Sequence, residues 1–247
     1  MRFLWLLIWL FGVSGCGQEN PQALRWLVAS STAECARQIA NEFQQSRGIT
    51  VEVISASSGS LVRQVENGLR ADVALLASDE WMNRLESVRP IAVKTRRVPF
   101  GNRLVIATRS RSVARAPISL EGNPPAGRWV IGIPSSVPVG MHGKKALQKL
   151  GWWADVNPRA VRAANSRAAV THVNSGTVDL GLIWASDTSE QCQVLAEIPS
   201  HLTGPIAYHA ARLSQKPGSQ QLLDAICDSP LWIHRGFIPP PAQESNR

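Results

Sequence analysis

The chain has 247 residues, enough for one large core or two of about half that size, so it does not need metal or disulfide staples to fold. A hydrophobic share of 44% against 18% charged residues argues against wholesale disorder. The formal net charge of +8 would by itself suggest a nucleic-acid partner, but the amino terminus argues otherwise.

Met1-Arg2 makes a short positive start, and Phe3 to Phe11 is an uninterrupted apolar run too short to span a bilayer as a permanent helix. Val13-Ser14-Gly15-Cys16 closes it with small residues before a cysteine, which resembles the bacterial lipobox. In that motif the cysteine is diacylated and becomes the first residue of the mature chain. Residues 1–15 therefore read as a lipoprotein signal peptide, Cys16 as the lipid attachment and residues 16–23 as a polar tether. An ordinary cleaved signal with an incidental cysteine is the alternative. Either way the mature chain faces an extracytoplasmic space, where nucleic acid is not an expected partner. The positive excess then suits anionic headgroups, small anions drawn to a cleft, or a dispersed solvated surface. Cys35, Cys192 and Cys227 remain, an odd number that permits at most one internal bridge in an oxidising compartment. No C-x-x-C spacing points to zinc.

From Leu24 onward short β-branched runs alternate with amphipathic stretches, the grammar of an α/β fold. Strands are predicted at 25–29, 50–54, 72–77, 103–108, 129–133 and 179–184. Ala36, Ile39, Ala40 and Phe43 fall at helical spacing, as do Leu61, Val62, Val65 and Leu69, so both sets read as core-facing stripes. Glycine follows each proposed helix, at Gly48, Gly68, Gly151 and Gly176. The 96–101 stretch is a candidate crossing between domains, with a return near 210–213. Pro239-Pro240-Pro241 opens a tail, 239–247, that reads as a frayed terminus.

Small hydroxyl residues recur where strands hand over to helices: Ser30-Ser31, Ser57-Ser58-Gly59-Ser60 and Ser166. A helix start offers unpaired N–H groups and partial positive charge, and a serine adds a further donor without bulk, so convergent starts suit an anion. Each serine on its own reads equally as an N-cap.

Residues Val28-Ala29-Ser30-Ser31, Ile39-Ala40-Asn41-Glu42-Phe43, Ser57 to Gln64, Ala71-Asp72-Val73 and Ser78-Asp79-Glu80-Trp81-Met82 resemble the molybdate-binding proteins of ABC importers. The resemblance continues through Gly101 to Val105, Gly132-Ile133-Pro134, Val137-Pro138-Val139-Gly140, Lys145 to Gly151, Gly181 to Asp187, Glu197-Ile198-Pro199 and Gly236-Phe237, in the family's order. It implies a two-lobed periplasmic-binding-protein fold of type II, each lobe a mixed sheet flanked by helices, with the ligand cleft between them. Lobe one would be 24–101 and 211–238, lobe two 102–210.

It further implies capture of molybdate or tungstate without chemistry, no other cofactor, and a monomer that delivers its ligand to an ABC permease from the periplasm or cell surface, anchored to the membrane through Cys16. The family's binding positions fall on Ser31, Ser58, Val139, Ser166 and Trp184. Three depart from the family pattern: Val139 replaces a small alanine, Ser166 an apolar residue, and Trp184 a tyrosine whose hydroxyl donates. Trp184 either donates through its indole N–H or only walls the pocket. Arg63 and Arg167 either add full charge or are solvated helix residues.

The nearest alternative is a binder of sulfate or thiosulfate. A secreted hydrolase on the same fold is the alternative from another class, but there is no G-x-S-x-G elbow, and nothing sets a histidine beside Ser31 or Ser58. The nine tryptophans read first as core and interface packing.

Overall fold

A computed structural model describes residues 22–110 and 116–241. The expected signal peptide, Cys16 and most of the tether and tail lie outside the described residues. Among the described residues ten strands and ten α-helices follow one another. The first part contains β1 (Leu24–Ala29), α1 (Ala33–Arg47), β2 (Val51–Ala56), α2 (Ser58–Glu66), β3 (Val73–Leu76), α3 (Asp79–Val88), α4 (Ile91–Thr95) and β4 (Arg97–Gly101). The second contains β5 (Leu104–Arg109), β6 (Trp129–Gly132), α5 (Pro138–Lys149), α6 (Trp153–Val156), β7 (Ala160–Ala163), α7 (Ser166–Ser175), β8 (Leu180–Trp184), β9 (Cys192–Ile198) and α8 (Ser200–Thr203). The chain then returns through β10 (Ala207–Arg212), α9 (Ser219–Asp228) and α10 (Leu231–His234).

These strands form two five-stranded mixed sheets, ordered β2-β1-β3-β10-β4 and β7-β6-β8-β5-β9. In the first, β1 runs parallel to β2 and β3, and β10 is antiparallel to β3 and β4. In the second, β6 runs parallel to β7 and β8, and β5 is antiparallel to β8 and β9. The fold is therefore two-lobed, with helices on both faces of each sheet. The chain passes between lobes after β4 and again before β10. The two passages lie side by side, since the Asn102 N–H donates to the Ile206 carbonyl at 3.1 Å.

The stripe on α1 buries Ala36, Ile39, Ala40 and Phe43 against the first sheet, in a core that also holds Trp26, Phe100, Tyr208 and Trp232. Gly48 ends that helix at φ 70, a left-handed conformation that costs little without Cβ. Leu61, Val62 and Val65 bury the matching face of α2, while Leu69 lies past the helix end and is half-buried. Trp129, Trp152 and Trp184 fill the second lobe's core. Most of the tryptophans are thus packing residues.

Four strands are absent from the sequence expectation: β4, β7, β9 and β10. Residues 97–101 form a strand of the first sheet, with the crossing just beyond them. The return also comes earlier than 211, because β10 begins at Ala207 and pairs along the first sheet, Tyr208 opposite Phe100. Its sequence, Ala-Tyr-His-Ala-Ala-Arg, has few β-branched residues, so strand character comes from two flanking partners rather than from propensity. Cys35, Cys192 and Cys227 are all free thiols, which leaves the permitted bridge unmade.

One close approach holds α5 against β6. A Cβ on Gly140 would overlap the carbonyl of Gly132, backbone against backbone. Gly140→Ala should therefore destabilise the protein by about 1–3 kcal/mol, the usual cost of overpacking. This would be read as a lower urea midpoint at unchanged slope. An unchanged midpoint would contradict this packing.

Candidate functional site

Five chain segments end at one place. The carboxyl ends of β1, β2, β6, β7 and β8 carry Ser30-Ser31, Ser57-Ser58, Val137-Pro138-Val139, Ser166 and Trp184. These residues, with Ala29 and Ala77, line a small, narrow hollow between the lobes. Crevices at strand carboxyl ends are where open α/β sheets take ligands, because helix starts point their N–H groups there. Ser31, Ser58, Val139, Ser166 and Trp184 are thus brought together, each at most 5% exposed.

Ser31, Ser58 and Ser166 are not helix caps. The cap of α2 is Ser57, whose Oγ accepts from the Ser60 N–H at 3.3 Å, and the cap of α7 is Asn165, whose Oδ1 accepts from the Ala168 N–H at 2.9 Å. Ser58 and Ser166 are the first helical residues after those caps. Ser58 Oγ accepts from the Ala77 N–H at 3.1 Å, which leaves its own hydrogen to donate elsewhere. Val139 follows Pro138 in the first turn of α5, where an N–H has no acceptor within the helix.

Ser31 is oriented by two residues that sequence reasoning missed. Asn102 Oδ1 accepts from the Arg103 N–H at 2.8 Å, so its amide nitrogen faces the Tyr208 hydroxyl, 3.4 Å away. Tyr208 lies 2.7 Å from Ser31 Oγ. A tyrosine that accepts from Asn102 donates onward to Ser31, and Ser31 keeps its hydrogen for the hollow. Burial pushes the Tyr208 hydroxyl above its ordinary pKa, which keeps it a protonated donor. Tyr208 and Asn102 reach the site from β10 and the crossing between lobes, a juxtaposition no local pattern signals.

Ser166 faces Ser30 across the cleft: its N–H donates to Ser30 Oγ at 3.2 Å, and the two hydroxyl oxygens are 2.9 Å apart. Trp184 packs its ring edgewise on His142, with centroids 5.8 Å apart, and its indole N–H has no protein acceptor among the described residues. Among the described residues no charged side chain lines the hollow. Arg63 is drawn instead over the Trp81 ring at 5.7 Å, and Arg167 stands 3.8 Å from both Glu34 and Asp187.

A larger hollow lies between α1 and α9, but Glu42, Asp224 and Asp228 line it, and these carboxylates repel anions. Among the described residues no three His, Cys, Asp or Glu side chains are grouped to hold a metal ion. His142, His172 and His209 engage the Thr203 carbonyl, Thr177 and Arg96, not the serines of the hollow.

The sequence profile of the bacterial extracellular solute-binding proteins matches residues 24–226. The chain belongs to this family. It is 31% identical over 208 residues to the molybdate-binding protein ModA of Escherichia coli K12, covering 81% of each chain. It is 26% identical over 207 residues to the putative ABC transporter substrate-binding lipoprotein YvgL of Bacillus subtilis 168, covering 79% of each. The solved structure of the Azotobacter vinelandii periplasmic molybdate-binding protein shares the fold, with a TM-score of 0.72 at 21% identity over 88% of this chain and 100% of that one.

In this solute-binding protein the lobes touch around the hollow. The Gly59 N–H donates to the Ser136 carbonyl at 3.1 Å, and Trp81 Nε1–H points at Met141 Sδ, 3.3 Å away. A Cβ on Gly59 would stand 2.6 Å from the Ser136 oxygen, so only glycine lets α2 approach the second lobe this closely. Gly59→Ala should hold the lobes apart and raise the radius of gyration measured by small-angle scattering. A radius equal to that of the wild type would show that this contact does not limit closure.

Proposed function

We propose that the protein captures molybdate, and tungstate with it, outside the cytoplasm and delivers the anion to the permease of an ABC importer. The binding residues are Ser31, Ser58, Val139, Ser166 and Trp184, and no bond of the ligand is made or broken. One observation carries the reading: five helix starts and strand ends converge on a hollow rich in unengaged hydrogen donors and free of side-chain charge. Molybdate as the ligand is supported by the relatives from E. coli and A. vinelandii.

The energetics favour a small dianion. Burying one costs several kcal/mol per charge even after relaxation. Hydrogen bonds to a charged group return roughly 1.5–3 kcal/mol each. About six donors, from the hydroxyls of Ser31 and Ser58, first-turn N–H groups and the Trp184 indole, thus return about 9–18 kcal/mol. Helix ends add to this. A smaller anion such as sulfate leaves some donors unpaired at full desolvation cost.

The same reading places the protein on a lipid anchor at Cys16. Its support is the Val13-Ser14-Gly15-Cys16 sequence and the lipoprotein description of the Bacillus relative. With residues 16–23 as tether, the lobes would stay beside the membrane where a permease works.

Calorimetric titration of the mature protein with molybdate, tungstate, sulfate and phosphate tests the proposal. Submicromolar binding of the first two with none of the last two is expected, and silence for all four would overturn it. Ser58→Ala should weaken molybdate binding by about 1.5–3 kcal/mol, the loss of one charge-assisted donor. Unchanged affinity in a folded Ser58→Ala protein would remove this residue from the site.

A further inference from the structure

Behind Ser166 the hollow backs onto a buried acid. Asp187 closes the short turn after β8, and its carboxylate is 0% exposed. Neither of its oxygens has a hydrogen-bond partner among the described residues. Two groups of α7 favour its charged form: the Arg167 guanidinium, with Nε 3.8 Å from Oδ1, and the neighbouring Ser166 hydroxyl, which here is paired with Ser30 rather than with the carboxylate. The same charge helps to push up the Tyr208 hydroxyl on β10. Arg167 is shared with Glu34 of α1, itself held by Arg235 at 2.7 Å, so its positive charge is only partly spent on Asp187. Burial prevails, and the Asp187 pKa is pushed up to about 6.

The Ser166 hydroxyl that acts on this acid also lies 2.9 Å from Ser30 Oγ, and both serines line the cleft. The direction of the Ser166 hydroxyl depends on one proton. With Asp187 ionised, the Ser166 hydroxyl turns toward the carboxylate and Ser30 donates to Ser166, so both hydrogens are withheld from the cleft. A negative charge then also sits one residue behind an anion site. With Asp187 protonated, its O–H donates to Ser166 Oγ, and at least one serine hydrogen is released to the hollow.

We propose that Asp187 is a positioning residue that takes up one proton when a tetrahedral dianion enters the cleft, so that capture of the anion is coupled to protonation. The proton comes from solvent and converts carboxylate to carboxylic acid, and the ligand itself is unchanged. The proposal rests on the oxyanion reading above. Its sign follows from linkage: the bound dianion raises the pKa of Asp187 above its value in the free protein, so affinity is highest below that free value and falls as pH rises through the interval between the two.

Calorimetric titration of the mature protein with sodium molybdate, in pairs of buffers that differ in ionisation enthalpy, counts the protons exchanged. Between about pH 6 and 8 the wild type should take up as much as one proton per anion, and its affinity should fall by up to about tenfold per pH unit. Asp187→Asn, uncharged and of the same shape, should bind molybdate with a flat pH profile and no proton uptake. This arm also separates Asp187 from His142, the other titratable group beside Trp184. Molybdate binding by the wild type without proton uptake would overturn the coupling and leave the oxyanion reading standing, as would an Asp187→Asn profile as steep as the wild type's. Failure of the wild type to bind molybdate at every pH would overturn both. The wild-type proton count decides the matter even if Asp187→Asn does not fold.

Discussion

Hydrogen donors without protein acceptors are costly in a buried place, and this fold gathers several of them at the meeting line of its two sheets. Each comes from the same local geometry: a parallel strand ends, the chain turns, and a helix begins with its first N–H groups unspent. The caps are supplied by neighbours, Ser57 and Asn165, so Ser58 and Ser166 are left over. Ser31 receives its hydrogen bond from Tyr208, and Ser58 receives one from the Ala77 N–H. The Ser31 and Ser58 hydroxyls are thus supplied on their acceptor sides and keep their donor sides open. An anion is the ligand that such a set can satisfy.

The close approaches elsewhere serve the same end. Gly140 lets the start of α5 sit against β6, which carries the Val139 N–H to the hollow, and Gly59 lets α2 reach Ser136 across the cleft. The side-by-side passages at Asn102 and Ile206 join the lobes next to Tyr208, so the element that links the lobes also orients Ser31. Binding and closure are then one event, since donors from both lobes face a common ligand only when the lobes meet.

Much of this was legible in the sequence because its signals are local. Short β-branched runs marked β1, β2, β3, β5, β6 and β8, Gly48 and Gly176 marked helix ends, and the recurrence of serine at strand-to-helix junctions located the converging starts. What escaped notice depends on distant partners. Strands β4 and β10 owe their strand character to flanking neighbours, and β10 carries Tyr208 to a serine 177 positions earlier. Nothing in the local sequence marks Asp187 as buried, and the packing of α7 over the turn that carries it makes it a buried acid. Whether a serine caps a helix or follows the cap was equally invisible, because the answer lies in which of two adjacent polar side chains turns back onto the helix.

Central to the proposed function is a doubly negative anion held by uncharged donors in the interlobe hollow. The most direct measurement is a crystal structure of the protein grown with molybdate, the metal located by its anomalous scattering. The account predicts a single molybdenum peak between Ser31 and Ser58, with oxygens in hydrogen-bond reach of both hydroxyls and of the Val139 N–H. A peak elsewhere, or lobes closed on each other with the hollow empty of metal at saturating molybdate, would contradict it.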